Sequence, residues 1–193
     1  MDAKSNFQQT VWQGSMIAAP LFIAISQFYW VNGQLSVTAG WLQVLAFTFW
    51  IVAFHGMFSM IKENMPKYYT IGLLIAGYAC IGGAGFGYDG IYTSAFGYST
   101  FEETNAFHSK IGVPLIPALF LPGLFFPLSL LILGVQLIRA KRVQPWIGIL
   151  LMLAAIGFPL SRVPRIDMIA HLDNVLLLAS HFLIAFKAKT IKL

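Results

Sequence analysis

Six long apolar runs, separated by short polar or charged loops, decide what this chain can fold into. They cover about residues 14–31, 41–61, 68–92, 111–138, 145–160 and 166–186. Each is near or above the roughly 20 residues a helix needs to cross a bilayer core, with 145–160 at the short end and 111–138 overlong. Composition agrees: of 193 residues, 58% are hydrophobic and 10% charged, where a soluble domain carries nearer about 25%. Surplus apolar surface on that scale calls for lipid rather than a larger core. The expectation is an all-α integral membrane protein, one domain built as a bundle of six transmembrane helices.

The net charge of +5 does not imply a nucleic-acid partner, because the basic residues sit at the ends of the apolar runs, where they set topology. Lys4, Lys62, Lys67, Arg139, Lys141, Arg142, Lys187, Lys189 and Lys192 fall on one side of the bilayer. Lys110, Arg162 and Arg165 fall on the other. Nine against three, all in short loops, predicts a multi-pass protein of the cytoplasmic (inner) membrane with both termini in the cytoplasm. Trp30 and Trp41 then mark the outer boundary, and Trp12 and Trp146 the inner one. The first run follows a polar leader without a small-residue cleavage site, so it reads as a retained helix. The lone Cys80 lies inside an apolar run, which excludes an intramolecular disulfide.

Two runs carry internal detail. The fourth holds Pro114, Pro117, Pro122 and Pro127, and predicts a bent helix whose outer end folds over the bundle. In the third, Ala76, Cys80, Gly83 and Gly87 leave one face nearly bare, suited to close helix packing or to a flat ligand. The stretch 93–109, with Glu102 and Glu103, reads as a polar loop, and 32–40 as a short uncharged one.

The last run carries the densest chemistry: Asp167, His171, Asp173, Asn174 and His181. A helix turns about 100° per residue, so with His171 at zero, Asp167, Asn174 and His181 lie near about −40°, −60° and −80°. Asp173 points nearly opposite, toward a second helix or a second copy of the chain. Ionisable groups at membrane depth are costly and face a bundle interior, a cavity or a cofactor.

Depth can be counted from the basic residue that ends each helix. His55 precedes Lys62 by seven residues and His181 precedes Lys187 by six, about 10 Å and 9 Å from the inner boundary. Two imidazoles at one level are what an axial bis-histidine haem site requires. His171 lies just below the outer boundary, and the proline-rich run brings His108 toward the same level, which gives a second such pair. Arg162 and Arg165 near that level suit haem propionates. Gln27 reads as a helix-to-helix hydrogen-bonder.

The leading expectation is therefore a b-type cytochrome. It would hold one haem b through His55 and His181, or a second through His108 and His171, and pass electrons to a redox partner or a quinone. No cysteine-bearing attachment motif is present, so the haem would be non-covalent. The alternatives are a metal-dependent intramembrane enzyme and a cofactor-free transporter, receptor or accessory subunit. The enzyme would bind zinc or iron through His108, His171, Asp89 and Asp167 at the outer boundary. In the last, polar groups of the final helix contact a small ligand or partner.

Overall fold

In lipid a backbone satisfies its polar groups internally only as a helix or a closed barrel, and the apolar runs become helices. The computed structural model describes residues 3–98 and 100–188, so Lys189 and Lys192, counted above for orientation, lie outside the described residues. In chain order the elements are α1 (Ala3–Gln27), a hairpin of β1 (Trp30–Val31) and β2 (Gln34–Leu35), α2 (Val37–Ser59) and α3 (Pro66–Ala95). Then come α4 (Phe101–Ile111), a π-helical turn (Ile116–Phe120), α5 (Leu121–Arg139), α6 (Pro145–Arg162) and α7 (Asp167–Lys187). Five helical segments are long and apolar enough to cross a membrane: Val37–Ser59, Pro66–Ala95, Ile116–Arg139, Pro145–Arg162 and Asp167–Lys187. The first half of α1 carries Gln8, Gln9 and Gln13, and α1 is not one of the five.

Packing runs α1 to α2, α2 to α3, α3 to α5, α5 to α6, α6 to α7 and α7 back to α1, so six long helices close into a ring. Gln13 Nε2 donates to the Ala185 carbonyl at 2.7 Å, and Gln27 Nε2 to Asp167 Oδ1 at 3.0 Å. Those two bonds fix α1 and α7 as antiparallel neighbours, with the start of α1 and the end of α7 at one end of the bundle. Gln27 is thus the helix-to-helix bond its position suggested.

Between helices in a bilayer there is no hydrophobic drive, so close packing must hold them. At the α2–α3 seam a Cβ on Gly87 would sit 2.7 Å from the Gly40 carbonyl oxygen, so backbone approaches backbone. On the bare face of α3 the Phe47 ring packs against Gly83, where an added Cβ would meet it. Phe126 of α5 is the hub of the interior. Its ring centroid stands 5.0 Å from Phe47, 4.9 Å from Trp50, 5.9 Å from Phe54 and 4.9 Å from Phe158. Such edge and tilted pairs contribute roughly 0.5–1.5 kcal/mol each beyond area burial.

Two segments differ from the sequence expectation. The stretch 32–40 opens with an Asn32-Gly33 turn, both residues at positive φ (50° and 72°), and closes the β1–β2 hairpin. The stretch 93–109 is helical at both ends: α3 runs on to Ala95, and α4 begins at Phe101 behind a capping box. Glu103 N–H donates to Thr100 Oγ1 at 3.2 Å, and Thr100 N–H to Glu103 Oε2 at 3.0 Å. Gly97 (φ +83°) precedes α4 and Gly112 (φ +72°) ends it. The segment folded over the bundle end is therefore α4, not the proline-rich run. That run opens with the π-helical turn, where the Tyr78 hydroxyl donates to the Pro117 carbonyl.

Candidate functional site: a cavity beneath α4

At the bundle end away from the termini, a partly open cavity of about 380 Å³ lies among the helices. Its floor is Phe47 and Phe126, and its sides include Gln43 of α2, Phe86 and Asp89 of α3, and Phe158 and Arg162 of α6. The roof is α4, which contributes Phe101, Thr104, Asn105 and His108. Positions i, i+3, i+4 and i+7 form one stripe of a helix, so the local pattern of α4 aims all four at the cavity. The π-helical turn brings Phe120 to the same wall.

Polar groups around the cavity are almost all committed to one another. His108 Nε2 meets both carboxylate oxygens of Asp89, at 2.9 and 3.1 Å. Arg162 donates to Ser161 Oγ at 2.6 Å, to Asp173 Oδ2 at 2.7 Å and to the Asn174 side chain, and its guanidinium lies 4.5 Å from the Phe158 ring centroid. Arg165 donates to the Gly33 carbonyl and stacks 5.2 Å over Phe101. Burial pushes the Arg165 guanidinium below its ordinary pKa, and the charge of Asp89 opposes that shift. Gln43 Nε2 donates to the Gly83 carbonyl at 3.0 Å. Among the described residues, Thr104 is the buried side chain of the lining whose polar atom has no partner.

The structure distributes the four histidines among four surroundings. His181 is fully buried. Its Nδ1 donates to the Leu177 carbonyl at 2.7 Å, its Nε2 has no partner, and its ring stands edge-on to Trp50 at 4.6 Å. His55 packs on Trp12 at 5.6 Å and lines a separate cleft of about 780 Å³ at the end bearing the termini. His171 packs on Phe28 at 4.7 Å, and His108 pairs with Asp89. None of these ring contacts joins two histidines. Trp50 precedes His55 by five residues, about 7.5 Å along α2, so His181 lies more than a turn deeper than His55. The count from Lys62 and Lys187 assumed those lysines share a height, and the Gln13–Ala185 bond shows why they do not. It sets Ala185, rather than His181, at the level of the Trp12–His55 pair.

Asp173 meets a second helix, as its bearing suggested: it is 1% exposed and paired with Arg162 of α6, yet it shares the inward face with Asn174 and His181 rather than opposing them. The polar arc was centred on His171, whereas the inward face of α7 is Ala170, Asp173, Asn174, Leu177, His181 and Ile184. Arg162, one helix earlier, supplies the countercharge that makes an inward carboxylate tolerable. Arg162 and Arg165 thus hold the protein itself. Of the residues considered for zinc or iron, only His108 and Asp89 meet, since Asp167 accepts from Gln27 and His171 lies on Phe28. Among the described residues no three His, Cys, Asp or Glu side chains are grouped to hold a metal ion.

Sequence reasoning missed Phe101, Thr104 and Asn105, because it read their stretch as a loop. The Thr100–Glu103 capping spacing was the available signal. Comparison with known proteins returns no match to this chain, whether by family model, curated protein or solved structure.

Proposed function

We propose that this chain is a multi-pass membrane protein of six transmembrane helices, α1 completing the set, with both termini cytoplasmic, and that it binds a small lipid-soluble molecule beneath α4. The observation that carries the reading is the aromatic cavity roofed by a short helix that stands between two positive-φ glycines. Its volume of about 380 Å³ falls within the roughly 300–1,000 Å³ of small-molecule sites, and a few polar groups converge on apolar walls as such sites require. Side-chain ties between α4 and its surroundings include His108 to Asp89, His108 to Phe120, Phe107 to Tyr98 and Phe101 to Arg165. A short helix set between two such glycines can hinge to admit a ligand and close over it. Native mass spectrometry of the protein released from detergent tests this. The wild type is expected to carry one added small-molecule mass at near-equimolar occupancy. Thr104→Phe, which puts a ring into the cavity, is expected to lose it. Equal adducts in both proteins, or none in either, would count against the proposal.

One observation favours haem b as a second reading. With Nδ1 held by the Leu177 carbonyl and Nε2 unpartnered, His181 has the arrangement of an axial ligand. The residues fit one axial ligand and not two, because Trp50 rather than His55 adjoins the His181 ring. A Soret band in protein produced with ample haem, lost in His181→Ala, would favour this reading; a colourless preparation would dismiss it.

A further inference from the structure

The charges around the cavity close on themselves. Arg162 is matched by Asp173, and Asp89 faces both His108 and the charge of Arg165. An ammonium ligand entering here would find Asp89 already bonded to His108. A carboxylate would find only Arg165, whose guanidinium is held by the Gly33 carbonyl and the Phe101 ring, so either would lose hydration for little replacement. The glutamine amides are spent as well, Gln27 on Asp167 and Gln43 on the Gly83 carbonyl, and the Asn105 amide is exposed. What remains buried and uncommitted in the lining is one hydroxyl, Thr104 Oγ1, on the inner stripe of α4, in a cavity also lined by the rings of Phe47, Phe86, Phe101, Phe120 and Phe158. A hydroxyl buried without a partner is costly in the empty state, and a ligand oxygen would relieve that cost. Aromatic walls at this spacing favour a flat, unsaturated body, which stacks face or edge against them.

From these features we propose that the ligand is a neutral, planar carbonyl compound of the quinone class, its ring among the phenylalanines and one carbonyl oxygen accepting from Thr104. The assignment rests on the cavity reading above and narrows it. Three probes of one ring size and different charge separate the possibilities: 2-methyl-1,4-naphthoquinone, 2-naphthoate and 2-naphthyltrimethylammonium. Each is titrated against the full-length protein in a non-ionic detergent, with thermal stabilisation as the readout. The naphthoquinone is expected to raise the melting temperature in a saturable way, and the two ions are not. Thr104→Val is expected to weaken naphthoquinone binding roughly fivefold, the worth of one neutral hydrogen bond, while Thr104→Ser keeps it. Retention by serine separates loss of a hydrogen bond from damage to the fold. Tighter binding of either ion, or equal binding by the valine variant, would overturn the quinone assignment and leave the cavity reading standing. Stabilisation by none of the three would also overturn it, and the cavity reading would then be judged by the native adduct alone.

Discussion

His108 and Asp89, nineteen residues apart in sequence, meet through one imidazole nitrogen lying 2.9 and 3.1 Å from the two carboxylate oxygens. The pair ties the roof helix α4 to the long helix α3. A hydrogen bond to a charged group contributes about 1.5–3 kcal/mol, so cutting it should free α4 without unfolding the ring. In His108→Ala, amide hydrogen exchange across residues 101–111 is expected to speed up at least about tenfold, with α5 unchanged. Unchanged exchange in α4 would show that the pair does not hold the roof.

Arg162 and Asp173 bridge α6 and α7 at 2.7 Å, with Asp173 out of reach of solvent. Removing one partner strands a buried charge, at a cost of about 3–5 kcal/mol. Asp173→Leu alone is expected to lower the melting temperature sharply in detergent. Arg162→Met with Asp173→Leu is expected to recover much of the loss, because no charge is then left unpaired. A double variant as unstable as the sum of the singles would argue against this coupling.

The glycines of α3 divide by what a methyl group would meet. At Gly87 an added Cβ falls 2.7 Å from the Gly40 carbonyl oxygen and 2.9 Å from Val44 Cγ2, while at Gly77 nothing lies within 4 Å. Gly87→Ala is expected to destabilise by about 1–3 kcal/mol, the usual cost of overpacking. Gly77→Ala should be neutral or stabilise by about 0.5–1 kcal/mol through helix propensity. Thermal unfolding of the two variants side by side checks the α2–α3 seam.

Orientation can be read with a membrane-impermeant maleimide on intact cells in a Cys80→Ser background. Glu102→Cys at the start of α4 is expected to label from outside, and Lys141→Cys, in the basic turn after α5, only after lysis. The reverse pattern would invert the proposed topology.

The apolar runs made the helices legible because a bilayer leaves the backbone few alternatives. Height and facing were harder to read. His55 and His181 looked level only because Lys62 and Lys187 were taken as one ruler, and helix ends do not share a plane. Asp173 fell outside the polar arc because that arc was centred on His171; its partner, Arg162, belongs to another helix, and no single-helix wheel names that pairing. The roof went unread for a different reason: α4 is short and polar, so apolar periodicity passes over it. Its Thr100–Glu103 box and the Asn32-Gly33 hairpin turn were both plain in the sequence as local hydrogen-bond chemistry. The meeting of Asp89 with His108 was half visible, since both fall near the outer boundary in the count of residues.

The most direct test of the central claim is an experimental density map of the wild-type protein grown from a lipidic mesophase. The account predicts a continuous non-protein feature between the floor rings Phe47 and Phe126 and the roof residue Thr104. A map in which those rings close on one another, with α4 seated directly upon them and no space between, would contradict it.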